Sequence, residues 1–276
     1  MDVKHVDTRL GTLSVQMSSG RGDPIMFWPS LFMTGDMWAG QVSHFGDRYR
    51  TVVVDPPGHG GSEPLTEMFS FEDCAYCVVE ILDNLGIDEA HFVGSSWGGM
   101  IGGTFAARHP DRILRAVLMN CTASAAGRRE KIENAIMLRF AELRGGIRPP
   151  LTGSVLKLFF GPTTLNTRPM VVETVRSHLR TVNITSSAWA IKSLLPARPD
   201  QHMLLSQITS PVLVVAGSED ATFPVADARR MADAIPTASF VELEGVAHTA
   251  ALEDPVRVNS LLEQFLFDKH DAELLG

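Results

Sequence analysis

Gly94-Ser95-Ser96-Trp97-Gly98 sets one serine between two glycines, directly after the strand-like run Ala90-His91-Phe92-Val93 and directly before a helix-like run. A serine hydroxyl is a poor nucleophile until a base takes its proton, and the backbone must hold it at a sharp turn open to substrate. Glycines two before and two after Ser96 remove the side chains that would collide where strand and helix approach closely. The run that follows, from Gly98 to Arg108, is small on one side, as a helix packed tightly on a sheet requires, and Pro110 lies just past its end.

Outward from this turn, short apolar runs alternate with helical patterns. Candidate strands are 13–17, 25–28, 51–54, 91–93, 116–119, 212–215 and 240–243. Several are unbroken Val, Ile and Leu runs that suit central strands of a parallel sheet covered on both faces, whereas Thr12-Leu13-Ser14-Val15-Gln16 alternates and suits an edge strand. The expected class is α/β, with a mainly parallel central sheet flanked by helices. A helix over 71–85 starts at Ser70, three residues before Asp73, and stops at Gly86; another, over 254–267, carries Pro255 in its first turn. From 123 to 205 the alternation ceases and helical segments such as 131–144 and 171–182 are separated by Pro and Gly. The division expected is therefore a core of 1–122 and 206–276, with 123–205 as a helical cap insertion.

Composition narrows the function classes. The chain has 276 residues, 45% hydrophobic and 20% charged, enough for one substantial core, and its net charge of -8 argues against general nucleic-acid binding. No apolar run is long enough to span a membrane, and Met1-Asp2-Val3-Lys4-His5 lacks the features of a signal peptide, so a cytoplasmic location is expected. Cys74 and Cys77 form a C-x-x-C pair, but i,i+3 spacing puts both on one buried helix face and no second pair completes a zinc site. Neither metal nor cofactor is expected. The insertion carries twelve Lys or Arg against five Asp or Glu, a formal +7, which leaves -15 for the remainder. This charge reads first as solvated helix faces and, as the sharper alternative, as a lid whose field favours anionic substrates.

A nucleophilic serine needs a histidine and a carboxylate brought in by folding. Pro211-Val212-Leu213-Val214-Val215-Ala216-Gly217-Ser218-Glu219-Asp220 is a buried strand with acids at its carboxyl end, and Val241-Glu242-Leu243-Glu244-Gly245-Val246-Ala247-His248 delivers a histidine just past the next strand. The Gly217 spacing favours Asp220 over its neighbour Glu219. Ser95 lacks the flanking glycine spacing. His44, His91, His109, His178, His202 and His270 have no comparable setting and read as surface or core histidines.

With these pieces in order, the chain resembles the alpha/beta-hydrolase superfamily over most of its length outside the insertion. The resemblance rests on Asp55-Pro56-Pro57-Gly58-His59-Gly60-Gly61-Ser62, Gly94-x-Ser96-x-Gly98-Gly99, Arg108-His109-Pro110-Asp111-Arg112-Ile113, Gly217-x-x-Asp220 and Gly245-x-x-His248. It implies Ser96 as nucleophile, His248 as general base and then acid, and Asp220 as the group that orients and stabilises the imidazole. It also implies a structural loop around His59. For the oxyanion, the Trp97 N–H is one donor by motif. Where most relatives carry His-Gly, this chain has Pro29-Ser30, so the second donor is the Leu31 N–H, with the Phe32 N–H as the alternative.

Ser30-Leu31 with Met37-Trp38, and Asn120-x-Thr122-Ala123, are similar to the 3-oxoadipate enol-lactonase group of carboxylic-ester hydrolases. A metal-free serine hydrolase of a small ester or lactone is the reading that results. Carbon-carbon bond hydrolysis, hydroxynitrile lysis, cofactor-free oxygenation and a ligand-binding receptor on a hydrolase scaffold are its rivals. In the insertion, Phe140, Leu143, Leu156, Phe159, Phe160, Trp189, Leu194 and Leu195 supply cap core or pocket wall. Phe32 and Trp189 are the candidate substrate contacts.

Overall fold

The computed structural model describes residues 1–267. The chain runs β1 (Asp2–Thr8), β2 (Gly11–Met17), β3 (Gly22–Trp28), α1 (Ala39–Phe45), β4 (Tyr49–Val54), α2 (Phe71–Asn84), β5 (Ala90–Ser95), α3 (Trp97–Arg108) and β6 (Ile113–Met119). Five helices follow: α4 (Arg128–Leu143), α5 (Leu151–Phe159), α6 (Pro162–Thr167), α7 (Pro169–Thr181) and α8 (Ile184–Leu194). Then come α9 (His202–Leu205), β7 (Val212–Gly217), α10 (Val225–Asp233), β8 (Ala238–Leu243), α11 (Ala250–Glu253) and α12 (Pro255–Phe267).

One eight-stranded sheet has the order β1-β2-β4-β3-β5-β6-β7-β8. β1 and β2 are antiparallel, as are β2 and β4, and every other pairing is parallel. All six residues of β5 and all six of β7 are buried, as expected for central strands covered on both faces. One expectation fails here. Residues 12–16 are not the sheet edge, because β1, which the sequence reading missed, pairs with β2 along its whole length. Its residues are mostly exposed and polar, so no apolar alternation marked it.

Local signals explain the helix ends. Ser70 and Asp73 form a reciprocal capping box at the start of α2, and Gly86, at φ 64°, follows its end in the left-handed region. Cys74 and Cys77 are buried thiols on the inner face of α2, and burial pushes both above the ordinary thiol range. In α3 every residue from Trp97 to Ala106 is buried, which the small side chains of that helix permit. Among the described residues, no helix is long and apolar enough to cross a membrane.

Candidate active site

Strand order decides what can meet. β5 lies between β3 and β6, with Gly94 opposite Trp28 on one side and Leu118 on the other, so the segments leaving β3, β5 and β6 emerge side by side. β7 and β8 continue the same parallel set, and their carboxyl ends deliver 218–223 and 244–249 to the same edge.

Ser96 occupies the single residue between β5 and α3, at φ 54° and ψ -108°. A non-glycine residue held there costs roughly 1–3 kcal/mol. The turn is held by the Ser96 N–H on Met119 O at 2.8 Å and by the Met100 N–H on Ser96 O at 3.0 Å. Its glycines are dictated by contact: a Cβ on Gly94 would sit 2.2 Å from Gly98 backbone, and one on Gly98 would sit 2.1 Å from Trp28 O. Ser95, the other serine of the turn, is fully buried and accepts a hydrogen bond from Ser30 at 3.2 Å.

Ser96, His248 and Asp220 meet although 152 and 28 residues separate the hydrogen-bonded pairs. Ser96 Oγ is 2.8 Å from His248 Nε2, and His248 Nδ1 is 2.9 Å from Asp220 Oδ2. The other Asp220 oxygen accepts the N–H groups of Thr222 at 2.8 Å and Phe223 at 3.0 Å, while Asn120 Nδ2 donates to Oδ2 at 3.3 Å. Every partner of this carboxylate is a donor. Nδ1 of His248 therefore carries its proton, and Nε2 presents a lone pair to the Ser96 hydroxyl. The imidazole is walled by Phe159, stacked at 5.6 Å, and by Phe223 at 5.5 Å. Both His248 and Asp220 are buried.

Glu219 is turned away from this chain of bonds. Its carboxylate accepts the Thr163 N–H at 2.9 Å and the Thr163 hydroxyl. Two further residues, unremarked as site residues in the sequence, bond the acid or the loop that carries the base. Asn120, at φ 50° just past β6, bonds Ala247 O at 2.8 Å as well as Asp220, tying the acid to the loop of the base. Glu253 accepts the N–H groups on either side of His248. Asn120 was signalled by its place at a strand end beside β5 and by the run Asn120-x-Thr122-Ala123; Glu253 offered no signal.

The loop after β3 separates the two candidate donors. The Phe32 N–H is taken by His59 Nε2 at 3.2 Å, and Phe32 stands at φ 66°. His59 Nδ1 in turn donates to Pro57 O at 3.0 Å, and burial holds this imidazole below its ordinary range, so it stays neutral and accepts. Among the described residues, neither the Leu31 nor the Trp97 N–H has an acceptor. Phe32 and His59 line a cavity of about 290 Å³ whose far wall comes from α7 and the start of α8, including His178, Thr181 and Asn183. Trp189 does not line this cavity; its ring lies 4.6 Å from Lys192 Nζ on the same helix.

Within residues 123–205, Leu156, Phe159, Phe160 and Leu194 are buried, whereas Phe140 and Leu143 are exposed. Arg129, Arg139, Arg176, Arg180, Lys192 and Arg198 pair with Glu residues that also lie within 123–205, so these pairings are already counted in the formal +7. Of the remaining histidines, His91 is buried in β5, His44 pairs with Glu263 at 2.7 Å, and His270 lies outside the described residues. No group of three or more His, Cys, Asp or Glu side chains among the described residues is placed to hold a metal ion.

The family model for the alpha/beta hydrolase fold matches residues 23–255, and the chain belongs to that family. It is 27% identical over 239 residues to 3-oxoadipate enol-lactonase 2 of Acinetobacter baylyi, covering 87% of this chain and 86% of that one. It is also 26% identical over 269 residues to a 2-hydroxy-6-oxononadienedioate/2-hydroxy-6-oxononatrienedioate hydrolase of Paraburkholderia phymatum, covering 96% and 90%. Among solved structures, the enol-lactonase of Burkholderia xenovorans superposes with a TM-score of 0.87 at 26% identity, covering 96% of this chain and all of that one. The protein is thus a hydrolase of this fold, related to enol-lactonases.

Proposed function

We propose that the chain is a serine hydrolase cleaving a small carboxylic ester or lactone through an acyl-enzyme on Ser96. The observation that carries this reading is the unbroken chain Ser96 Oγ to His248 Nε2 at 2.8 Å and His248 Nδ1 to Asp220 Oδ2 at 2.9 Å. As Ser96 attacks the substrate carbonyl, its proton passes to His248 Nε2, and Asp220 stabilises the resulting imidazolium. The oxyanion forms against the Leu31 and Trp97 N–H groups, each worth on the order of 3 kcal/mol in the transition state. His248 then protonates the departing oxygen. Water, deprotonated by the same Nε2, attacks the acyl carbon; the Oγ–acyl bond then breaks, Ser96 Oγ takes the proton back from His248, and the carboxylic acid leaves.

Residues 123–205 serve in this reading as a cap over the core. A second reading, carbon-carbon bond hydrolysis, is favoured by the likeness to the oxononadienedioate hydrolase. Hydrolysis of p-nitrophenyl esters and of simple enol lactones, with Ser96→Ala as control and intact-mass detection of the acyl adduct, tests the proposal. The expected result is ester turnover, an adduct on Ser96 and loss of both in S96A. Ester turnover that survives S96A would remove the acyl-enzyme mechanism.

A further inference from the structure

One short stretch of the insertion, 158–168, reaches across to both loops that carry the acid and the base. Toward the acid loop, Leu158 O accepts the Thr222 hydroxyl at 2.7 Å, and Thr163 donates twice to Glu219. The approach is close enough that a Cβ on Gly161 would lie 2.3 Å from Glu219 Cβ. Toward the base loop, Phe159 O accepts the His248 N–H itself at 3.1 Å, with the Phe159 ring stacked on the imidazole. Arg168 Nη1 donates at 2.7 Å to both Gly245 O and Thr164 Oγ1.

The Thr164 hydroxyl completes the connection. It is fully buried and donates to Oε2 of Glu253, itself buried, whose oxygens accept the Ala247 N–H at 3.0 and 3.1 Å and the Thr249 N–H at 3.0 Å. Those two amides flank His248 in the chain. A carboxylate in this place holds the backbone of the base from both sides, and a hydroxyl from the insertion fixes the rotamer of that carboxylate. Buried polar groups that are fully bonded in this way rigidify what they touch.

We propose that Glu253 is a positioning residue for His248, and that segment 158–168 of the insertion is a fixed bracket holding the loops of His248 and Asp220 in register. The inference rests on the reading of Ser96 and His248 as nucleophile and base. Its consequence is that this edge of the insertion stays closed through turnover. Any opening of the insertion must then occur around α4, α7 and α8.

The test uses Thr164→Val, which keeps the shape and removes the hydroxyl, with Thr164→Ser as the conservative rescue and Thr174→Val, on the exposed face of α7, as control. Two readouts are taken on the intact protein: kcat and KM on a p-nitrophenyl ester, and the rate at which a fluorophosphonate labels Ser96, which reports serine activation independently of the natural substrate. The expected result for T164V is a fall of about tenfold in kcat and in labelling rate, with KM within threefold, because misplacing a base degrades reaction more than binding. T164S and T174V stay near wild type. Glu253→Gln, which keeps one acceptor oxygen for the two amides, falls in the same direction and serves if T164V does not fold.

A lower melting temperature in T164V and E253Q with unchanged kcat and labelling rate would overturn the inference, reducing the contacts to fold stability. Wild type that is not labelled at Ser96 would overturn the serine-hydrolase reading and this one with it. Labelled wild type with equally fast variants would overturn this one alone.

Discussion

Replacing Asp220 by Asn separates the chemistry of the acid from its packing. Oδ1 accepts two fixed backbone N–H groups, from Thr222 and Phe223, whereas Oδ2 meets His248 Nδ1 and one amide nitrogen of Asn120. An Asn side chain that kept its NH2 toward the backbone would set donors against two immovable donors. The other orientation sets it against one, at Asn120, and leaves a histidine that can change tautomer to suit. The carboxamide therefore turns its oxygen to the backbone and donates to Nδ1. That drives the imidazole proton to Nε2, where it faces Ser96 and can no longer accept. The loss expected is about 10⁴-fold in kcat, or about 5 kcal/mol of transition-state stabilisation, the size typical of a wrong-tautomer histidine. Stability should fall by only about 1 kcal/mol, the net worth of one hydrogen bond. Steady-state hydrolysis of a p-nitrophenyl ester, with urea unfolding in parallel, measures both. A folded D220N enzyme retaining more than about a tenth of wild-type kcat would refute the tautomer argument.

Two other perturbations follow from packing and burial. In Gly98→Ala the new Cβ would lie 2.1 Å from Trp28 O, so α3 must shift by about 1 Å against β3. Urea unfolding should show a loss of roughly 1–3 kcal/mol, and ester kcat should fall about 100-fold as the Trp97 amide is displaced. Burial lowers the His91 imidazole to about 4. Below about pH 6.5 the unfolded chain takes up a proton that the folded chain refuses until about pH 4, so stability falls as pH drops through that window. The full contribution is about 3 kcal/mol, and chemical unfolding at pH 7 and pH 4.5 should show a shallower loss in His91→Leu than in wild type.

The alternation of short buried strands with helices marked the α/β class because a strand covered on both faces must be apolar at successive positions, and that pattern is written locally. The same holds for the Ser96 turn, whose glycines are required by contacts within a few residues and with the neighbouring strand. The order of Ser96, Asp220 and His248 was legible too, since each ends a recognisable strand run. β1 was not, because a polar edge strand buries too little to leave a period in the sequence.

What only the tertiary structure decided is how those ends are aimed. Leu31 and Phe32 are adjacent amides, ranked in the sequence only by resemblance; His59, arriving from another loop, takes the Phe32 N–H, and among the described residues the Leu31 N–H has no acceptor. Glu219 and Asp220 are adjacent carboxylates, and Thr163 draws one to the insertion while Asn120 and His248 meet the other. Glu253 carries no signal in the sequence, yet Thr164, 89 residues away, joins it to the support of the base. Spacing favoured Asp220 and resemblance favoured Leu31, but each hydrogen bond that holds these groups joins segments far apart in the chain, and such bonds depend on angles and distances that residue type and spacing do not encode.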